Sequence, residues 1–190
     1  MVILRNSGSS ALAAVEIGRD IAGMTTTVTR TYLRMSTRDA LRPGRAAPNA
    51  HVEPVTACST ARYRELYRAV GAQWHWHDRD AWTDDRLAEH LARPAVSVYV
   101  FKVDGETAGY AELEQHDGGD VEILYYGLVP EWIGRGLGGA MLTAATDLAW
   151  QLGATSVWLH TCTLDHPSAL SNYRARGFEA YKVEQYESSA

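Results

Sequence analysis

Cysteine is scarce in this chain, where Cys58 and Cys162 are the only two cysteines among 190 residues. Neither has a histidine or a second cysteine at the spacing of metal ligands, so the sequence predicts no metal site and requires no disulfide. We expect both side chains to be reduced thiols that behave as small apolar groups. The few cysteines therefore give no sign of a metal-dependent or disulfide-dependent fold.

Long apolar runs are missing as well. No stretch approaches the roughly 20 apolar residues that a transmembrane helix needs. The first segment has an early arginine, Arg5, but Glu16 interrupts its weak apolar patch, which is atypical of a secretory signal. The sequence therefore predicts a cytoplasmic protein with no membrane partner.

An excess of positive charge is also absent, since the formal net charge is -5. Proteins that bind the phosphate backbone of nucleic acids normally carry a basic face, so we expect no nucleic-acid partner. The charge favours a neutral or cationic small substrate. The composition, with 46% hydrophobic and 22% charged residues, is that of a soluble globular protein.

The length of the chain suits one domain, or one domain with an extension. Residues 1–23 contain a Ser/Gly run and show no sustained periodicity, so we interpret them as an N-terminal extension. Residues 24–190 form the predicted domain, and Met24 is a candidate natural start. A deletion of residues 1–23 that abolished folding would contradict this interpretation.

The hydrophobic pattern predicts an order of strands and helices. Residues 25–35 are rich in β-branched side chains and predict a strand, whereas the prolines and glycine of 41–54 predict a loop. Two helices follow, over residues 60–70 and from an N-cap at Thr83. Asp-Gly and Asp-Gly-Gly turns then separate three antiparallel strands. The remaining elements are a long helix, a strand parallel to the one before it, a short helix and a last strand, at 136–152, 156–163, 167–176 and 178–186.

This order of elements predicts the fold class. Antiparallel strands come first, and one βαβ unit follows them. Such a layout is typical of an α/β or α+β fold with a mixed, mostly antiparallel sheet flanked by helices.

The most informative segment is the glycine-rich loop LVPEWIGRGLGG, residues 128–139, between a predicted strand and the long helix. Glycines let the backbone approach a ligand closely, and the N–H groups at the N-terminus of a helix bind phosphate. Four glycines between Gly134 and Gly139 exceed what the packing of a helix on a sheet needs. The loop therefore predicts a ligand that carries a phosphate or diphosphate.

Part of this loop, Gly134-x-Gly136-x-x-Gly139, also satisfies the dinucleotide-binding fingerprint. That fingerprint should follow the first strand of a parallel βαβ unit and precede an acidic residue about 20 positions later. Here the preceding strands belong to hairpins, and the nearest acid, Asp165, comes too late. A nicotinamide-binding oxidoreductase is therefore a weaker alternative.

The loop resembles the acyl-CoA loop of the GNAT superfamily of N-acetyltransferases, V-x-P-x-x-(R/Q)-G-x-G-x-(G/A). A second motif of that family, A-x-x-L-Y-x-x-x-G-F, resembles residues 169–178, which contain Tyr173. The resemblance covers about residues 25–187. Two positions depart from the pattern, since Ile133 stands where Arg or Gln is usual and His166 where Asn is common.

The resemblance implies an acetyl-CoA-dependent N-acetyltransferase that acts on a primary amine. It assigns the binding of acetyl-CoA to the end of the strand, to the loop and to the second motif. The implied residues are Leu128, Val129, Ile133, Gly134, Arg135, Gly136, Leu137, Gly138, Gly139, His166 and Tyr173.

Acetyl transfer to an amine needs a base, because an alkyl amine with a pKa of about 10 is mostly protonated at neutral pH. Glu122 matches the position of the general-base glutamate of histone-acetylating members of the superfamily. Glu112 and Glu114, on the neighbouring strand, are rival bases, and a solvated strand carboxylate is the alternative for any of the three. The two-residue period of a strand predicts that Glu122, Leu124 and Tyr126 share one face.

The reaction also needs an oxyanion donor and an acid. The resemblance implies the backbone N–H of Leu128 as the donor, at a β-bulge where the strand separates from its neighbour. It implies Tyr173 as the acid that protonates the sulfur of CoA, and a phenol with an ordinary pKa near 10 carries its proton at neutral pH. The structural alternative is a tyrosine packed on the sheet.

The acceptor side is less defined. The resemblance implies that the loop with Trp74 and Trp76 covers the acceptor, and Tyr126 is a further candidate in the cleft. Aromatic rings could hold a cationic amine, or they could form a hydrophobic cluster between two helices. The acceptor is a small-molecule or peptide amine, and a homodimer is compatible with the family. A non-catalytic acyl-CoA-binding module is the alternative function.

Overall fold

The computed structural model of the protein describes residues 25–189 and contains a seven-stranded sheet. The strands are β1 (Thr25–Met35), β2 (Ala50–Pro54), β3 (Val96–Val103), β4 (Glu106–Gln115), β5 (Asp120–Leu128), β6 (Ser156–Cys162) and β7 (Glu179–Ser189). The α-helices are α1 (Thr60–Gly71), α2 (Asp84–Leu91), α3 (Gly138–Gln151) and α4 (Ala169–Ala175). The predicted extension, residues 1–23, and Met24 lie outside the described residues, so the domain boundary stays a prediction.

The sheet has the strand order β2-β3-β4-β5-β6-β1-β7. Every neighbouring pair is antiparallel except β5 and β6, which are parallel and are joined through α3. The predicted mixed, mostly antiparallel sheet with one βαβ unit is therefore confirmed.

Local sequence explains most of the element boundaries. Asp104 and Gly105 both have positive φ, 51° and 84°, which a tight two-residue hairpin turn requires. The hydroxyl of Thr83 accepts a hydrogen bond from the N–H of Arg86 at 3.2 Å and caps α2. Gly153, with a φ of 86°, follows the end of α3 in the left-handed conformation that favours glycine.

The predicted loop 41–54 is wrong at its end, because Ala50–Pro54 forms β2. This strand pairs only with β3, at the edge of the sheet. An edge strand tolerates proline, since one side of its backbone needs no partner. Its short, mixed sequence has no local strand signal, so the pairing with β3 decides its conformation.

Two cores lie on opposite faces of the sheet. Helices α3 and α4 cover one face, where Tyr126, Met141 and Tyr173 are buried. Helices α1 and α2 cover the other face, where Tyr67, Trp76 and Tyr125 are buried. We call these the α3/α4 face and the α1/α2 face.

Strands β5 and β6 pair only at their N-terminal ends. The parallel ladder joins Asp120–Glu122 to Ser156–Trp158. β5 then continues to Leu128 and β6 to Cys162 without pairing to each other. The two strands therefore diverge beyond Glu122, and we call the space between them the wedge.

A β-bulge at Leu124 interrupts the pairing of β5 with β4, since Tyr125 faces Glu112 and Ile123 faces Leu113. The extra residue changes the alternation of side chains, so Leu124 and Tyr125 both pack on the α1/α2 face. Tyr126 packs on the α3/α4 face. The predicted bulge at Leu128 is therefore wrong, and so is the predicted place of Tyr126 on the same face as Glu122 and Leu124. Tyr125 and Tyr126 therefore lie on opposite faces of the sheet.

No helix within residues 25–189 is long and apolar enough to cross a membrane.

Candidate active site

A cleft of about 720 Å³ opens where the glycine-rich loop meets α3 and α4. Eight of its lining residues are among those predicted to bind the cofactor: Leu128, Ile133, Gly134, Gly136, Leu137, Gly138, Gly139 and His166. The structure thus brings together the strand end, the loop and the second motif around one cleft.

Two loop glycines have a conformation that other residues rarely adopt. Gly134 and Gly136 have φ of 82° and 77° and face open space where a Cβ would stand. A side chain at either position would strain the backbone and enter the cleft. The pattern of small residues in the loop therefore has a backbone cause.

The N-terminus of α3 faces the cleft without a side-chain cap. The first helical hydrogen bond runs from the N–H of Met141 to the carbonyl of Leu137 at 3.0 Å, and no side chain caps the helix at Leu137. The amides of Gly138 and Gly139 precede that bond, so they have no partner inside the helix. Such amides and the positive end of the helix dipole favour a bound anion. These residues therefore fit the diphosphate of a CoA thioester.

Within the described part of the chain, the charged side chains that line the cleft are Arg45 and Arg176, and no carboxylate lines it. The local charge is therefore positive, although the net charge of the whole chain is -5. Arg45 was not predicted as a site residue, because it lies far from the loop in sequence.

Three of the predicted cofactor residues do not line the cleft, namely Val129, Arg135 and Tyr173. The N–H of Val129 donates to the carbonyl of Ala108 at 2.9 Å, which holds the end of β5 against β4. The guanidinium of Arg135 lies 4.7 Å from the centre of the Trp132 ring. Because N–H groups of successive strand residues point to opposite edges, the N–H of Leu128 points away from β4, toward the wedge.

His166 lies at the mouth of the cleft as a neutral imidazole. Its Nδ1 accepts hydrogen bonds from the N–H of Ser168 at 3.1 Å and from the hydroxyl of Ser168 at 2.8 Å. A nitrogen that accepts from a backbone N–H carries no proton, so the proton is on Nε2. Partial burial lowers the pKa of His166, which favours this neutral form. His166 can therefore offer one N–H donor where the family commonly has the amide of Asn.

Tyr173 is fully buried on the α3/α4 face, with its ring 6.4 Å from that of Tyr126. Within residues 25–189 its hydroxyl has no hydrogen-bond partner. Burial, followed by the nearby charge of Asp165, raises the pKa of Tyr173 well above its ordinary value. The phenol is therefore protonated, and its hydroxyl can donate a hydrogen bond or a proton to a bound ligand. This fits its predicted role as the acid that protonates the sulfur of CoA.

Asp165 is a buried carboxylic acid that the sequence reasoning missed as a site residue. It accepts hydrogen bonds from the Thr161 hydroxyl and from the N–H of Cys162 at 2.9 Å, just beyond β6. Burial raises the pKa of Asp165 from 3.8 to about 7, although both hydrogen bonds lower it. A carboxyl group with that pKa can take up and release a proton at neutral pH. The only signal in the sequence is its position directly before His166.

Glu122 is fully buried at the narrow end of the wedge. Its carboxylate lies 3.0 Å from Nε2 of His116. Leu128 is six residue steps further along β5, which is a distance of roughly 20 Å along the strand. The structure therefore does not bring Glu122 to the cleft.

Glu112, the first rival base, is the centre of a buried polar network on the α1/α2 face. It accepts a hydrogen bond from the hydroxyl of Tyr63, and its other oxygen lies 2.6 Å from Nε2 of His90 and 3.3 Å from the guanidinium of Arg79. Burial raises the pKa of Glu112, but these partners outweigh burial and lower the pKa overall. A carboxylate held in this way fixes α1, α2 and the loop between them to β4.

We expect the substitution Glu112→Gln to lower the free energy of unfolding by about 2 kcal/mol, because it leaves the buried charge of Arg79 without its counter-charge. Urea unfolding at neutral pH measures this effect. Glu53→Gln is the control, since Glu53 is an exposed carboxylate that pairs with His51. Equal stability of the Glu112 variant and the wild type would contradict the role of the network.

Glu114, the second rival base, lies opposite Glu122 on β4 and pairs with Arg93 at 2.9 Å. Within the described residues, Glu114, His116 and Glu122 form a group whose ligand atoms lie within 4.8 Å of one another. Arg93 already pairs with one of the two carboxylates of this group. The expected absence of a metal stays a prediction.

The three predicted acceptor residues lie in different surroundings. Trp76 is buried on the α1/α2 face, with its ring 4.9 Å from that of Tyr125, and Tyr126 is buried on the other face and donates to the carbonyl of Gly138. Both therefore belong to the cores rather than to a surface that an acceptor can touch. Trp74 is half-buried, with its ring 5.3 Å from that of His166, so it connects the loop between α1 and α2 to the cleft.

The model of the acetyltransferase (GNAT) family matches residues 63–178, which is more than half of the chain. The chain belongs to the GNAT family. The matched region includes the glycine-rich loop, α3, β6 and the second motif, which together build the cleft.

Several curated relatives are N-acetyltransferases by name. The chain is 37% identical over 101 residues to the mycothiol acetyltransferase of Clavibacter sepedonicus, a match over 53% of this chain and 33% of that protein. It is 35% identical over 74 residues to an uncharacterised N-acetyltransferase of Mycobacterium tuberculosis, over 39% of this chain and 47% of that protein. The chain thus spans a third to a half of the length of these relatives.

Solved GNAT structures share the fold. The GCN5-related N-acetyltransferase of Sphaerobacter thermophilus aligns with a TM-score of 0.60 at 15% identity, over 85% of this chain and 52% of that one. The corresponding protein of Kribbella flavida aligns with a TM-score of 0.59 at 20% identity, over 87% of this chain and 60% of that one.

Proposed function

We propose that this GNAT protein transfers an acetyl group from acetyl-CoA to a primary amine. The observation that carries the proposal is the cleft, where loop glycines and the uncapped N-terminus of α3 meet two arginines and no described carboxylate. Such a site suits a ligand with several phosphate groups. The family supports an acyltransferase, and acetyl-CoA with an amine is the finer part of the proposal.

Acetyl-CoA, when bound, would supply an acetyl thioester as the electrophile. The amides of Gly138 and Gly139 would hold its diphosphate, and the Nε2–H of His166 would bind the arm beyond it. The N–H of Leu128 points toward the wedge and would stabilise negative charge on the attacked carbonyl oxygen. Each of these donors is held by the backbone or by Ser168 before the ligand arrives.

Tyr173 is proposed as the acid. Its hydroxyl is buried and has no partner among residues 25–189, so the proton is available to a leaving thiolate. Burial raises the pKa of the phenol, so it holds its proton in the resting enzyme. The same burial would make a thiolate released beside it a stronger base than in water, which would offset the weaker acidity of the phenol.

Asp165 is proposed as the base in place of Glu122. It lies close enough to Tyr173 for its charge to raise the pKa of that phenol, and its own pKa of about 7 suits proton uptake at neutral pH. Glu122 is roughly 20 Å along β5 from Leu128, beyond the reach of a direct or single-water transfer. Glu112 and Glu114 are held in ion pairs.

The acceptor is proposed to approach from the loop that carries Trp74, since this ring meets His166 at the mouth of the cleft. The exposed part of Trp74 can contact a cationic or aromatic acceptor.

Trp74→Ala should raise KM for the acceptor by about tenfold and leave the Kd of CoA within about twofold, which is typical of removing one ring contact. Steady-state kinetics measure KM for the acceptor, and calorimetry measures the Kd of CoA. A larger change in the Kd of CoA than in KM would contradict the assignment of Trp74 to the acceptor side.

The function is tested by two measurements on the full chain. Calorimetric titration with acetyl-CoA should give binding, and a thiol-release assay over small amines, polyamines, aminoglycosides, peptide N-termini and lysine peptides should give turnover with at least one class. Binding without turnover of any amine would favour a non-catalytic acyl-CoA-binding module. Binding of a nicotinamide dinucleotide instead of acetyl-CoA would favour the oxidoreductase. The homodimer and the cytoplasmic location stay predictions, and light scattering would test the former.

A further inference from the structure

Residues 36–49 connect β1 to β2 and cross most of the sheet, because β1 is the sixth strand in the order and β2 is the first. Apart from a 3-10 turn at Arg38–Ala40, the segment is irregular. It passes over α3 and α4 rather than returning along the edge of the sheet. We call residues 36–49 the strap.

Several polar contacts hold the strap on these helices. The guanidinium of Arg38 lies 3.3 Å from the carboxylate of Asp147 on α3. The N–H of Arg42 donates to the carbonyl of Arg176 at 3.0 Å, and Nε of Arg176 donates back to the carbonyl of Arg42 at 2.8 Å. The N–H of Gly44 donates to the hydroxyl of Thr143 at 2.8 Å.

The strap comes closest to the cleft at Gly44. A Cβ at Gly44 would overlap the carbonyl group of Gly139, so the two backbones touch directly at the N-terminus of α3. Only glycine allows such an approach. The backbone next to Arg45 is therefore fixed against the helix end that faces the cleft.

Arg45 follows this contact and lines the cleft with an exposed side chain. Arg176 lines the same cleft from the end of α4, and no carboxylate within residues 25–189 lines it with them. Two positive charges without a counter-charge predict a polyanionic ligand group at this side of the cleft.

We propose that Arg45 binds the 3′-phosphate of CoA and makes the protein specific for CoA over 3′-dephospho-CoA. The inference rests on the proposed use of acetyl-CoA. Backbone amides suffice for the diphosphate, whereas a phosphate monoester adds up to two further negative charges that call for a cationic side chain. Arg176 lines the same cleft, but its guanidinium also holds the strap through the carbonyl of Arg42, so we assign the specificity to Arg45.

The test measures the Kd of CoA and of 3′-dephospho-CoA by calorimetry, for the wild type and for Arg45→Ala. We expect the wild type to bind CoA about tenfold more tightly than the dephospho compound, as one charge-assisted contact gives. Arg45→Ala should nearly abolish this preference by weakening the binding of CoA alone. Arg45→Lys should keep part of it.

Arg42→Ala is the matched control, because it removes one positive charge from the strap while the hydrogen bonds of Arg42 come from its backbone. This control should keep the preference of the wild type. Equal affinity of the wild type for the two ligands, or an equal loss of both in Arg45→Ala, would overturn the inference and leave the proposed function intact. Failure of the wild type to bind either ligand would overturn both.

Discussion

Replacing Tyr173 by Phe should lower turnover by about 10²-fold, the contribution of a general acid. The change removes one buried hydroxyl that has no hydrogen-bond partner within residues 25–189. No protein hydrogen bond is lost with it, so we expect the variant to be at least as stable as the wild type. A loss of activity without a loss of stability separates catalysis from folding.

Single-turnover thiol release under saturating acetyl-CoA measures this effect where chemistry limits the rate. Tyr110→Phe is a matched control, since Tyr110 is also fully buried with an unbonded hydroxyl but packs on the α1/α2 face. The control should keep its turnover. An unchanged rate in Tyr173→Phe would rule out the phenol as proton donor.

Replacing Asp165 by Asn should lower turnover by about 10²-fold and change its pH dependence. In the wild type the base must be deprotonated, so activity should rise with pH through the pKa of about 7. Asn cannot accept the proton, and this limb of the profile should disappear. Its side-chain oxygen can still accept from Thr161 and Cys162, so the local fold should persist.

Stability provides a second readout for Asp165, because its pKa rises from 3.8 to about 7 on folding. Between these values the folded protein binds more protons than the unfolded chain, so stability falls as pH rises from about 4 to 7. Above pH 7 the buried, ionised carboxylate lowers the free energy of unfolding by its full amount, which is at most on the order of 4 kcal/mol. Asp165→Asn should therefore be more stable than the wild type at pH 8, and the advantage should vanish near pH 4.

Glu122→Gln is the informative comparison for both readouts. We expect it to keep most of the turnover, since the carboxylate lies at the far end of β5 from Leu128. A large loss in Glu122→Gln with none in Asp165→Asn would restore Glu122 as the base that the family resemblance implies.

Features that depend on neighbouring residues were predictable from the sequence. The Asp104-Gly105 turn, the Thr83 cap and the Gly153 helix end each follow from a local backbone preference. The glycine-rich loop belongs to the same class, because positive φ at Gly134 and Gly136 is a property of residue type. These local signals were enough to predict the order of elements except for β2, the βαβ unit and most of the cleft.

Features that depend on distant residues needed the tertiary structure. The strand β2 forms because β3 offers a free edge. The bulge at Leu124 is a shift in register between β4 and β5, so it depends on both strands. Burial likewise decides the chemistry of side chains that look alike in sequence. It leaves Glu112 ionised among three partners and raises the pKa of Asp165 to about 7.

The sequence by itself determined that a glycine-rich loop leads into the N-terminus of a helix, an arrangement that suits a phosphate group, because that information lies within a few adjacent residues. Only the tertiary structure decided which charged groups line the cleft at that helix end. Arg45 reaches the cleft because Gly44 packs against Gly139. Glu122 does not, because it lies near the opposite end of β5 from Leu128. Distances between such groups arise from packing, which no local pattern encodes.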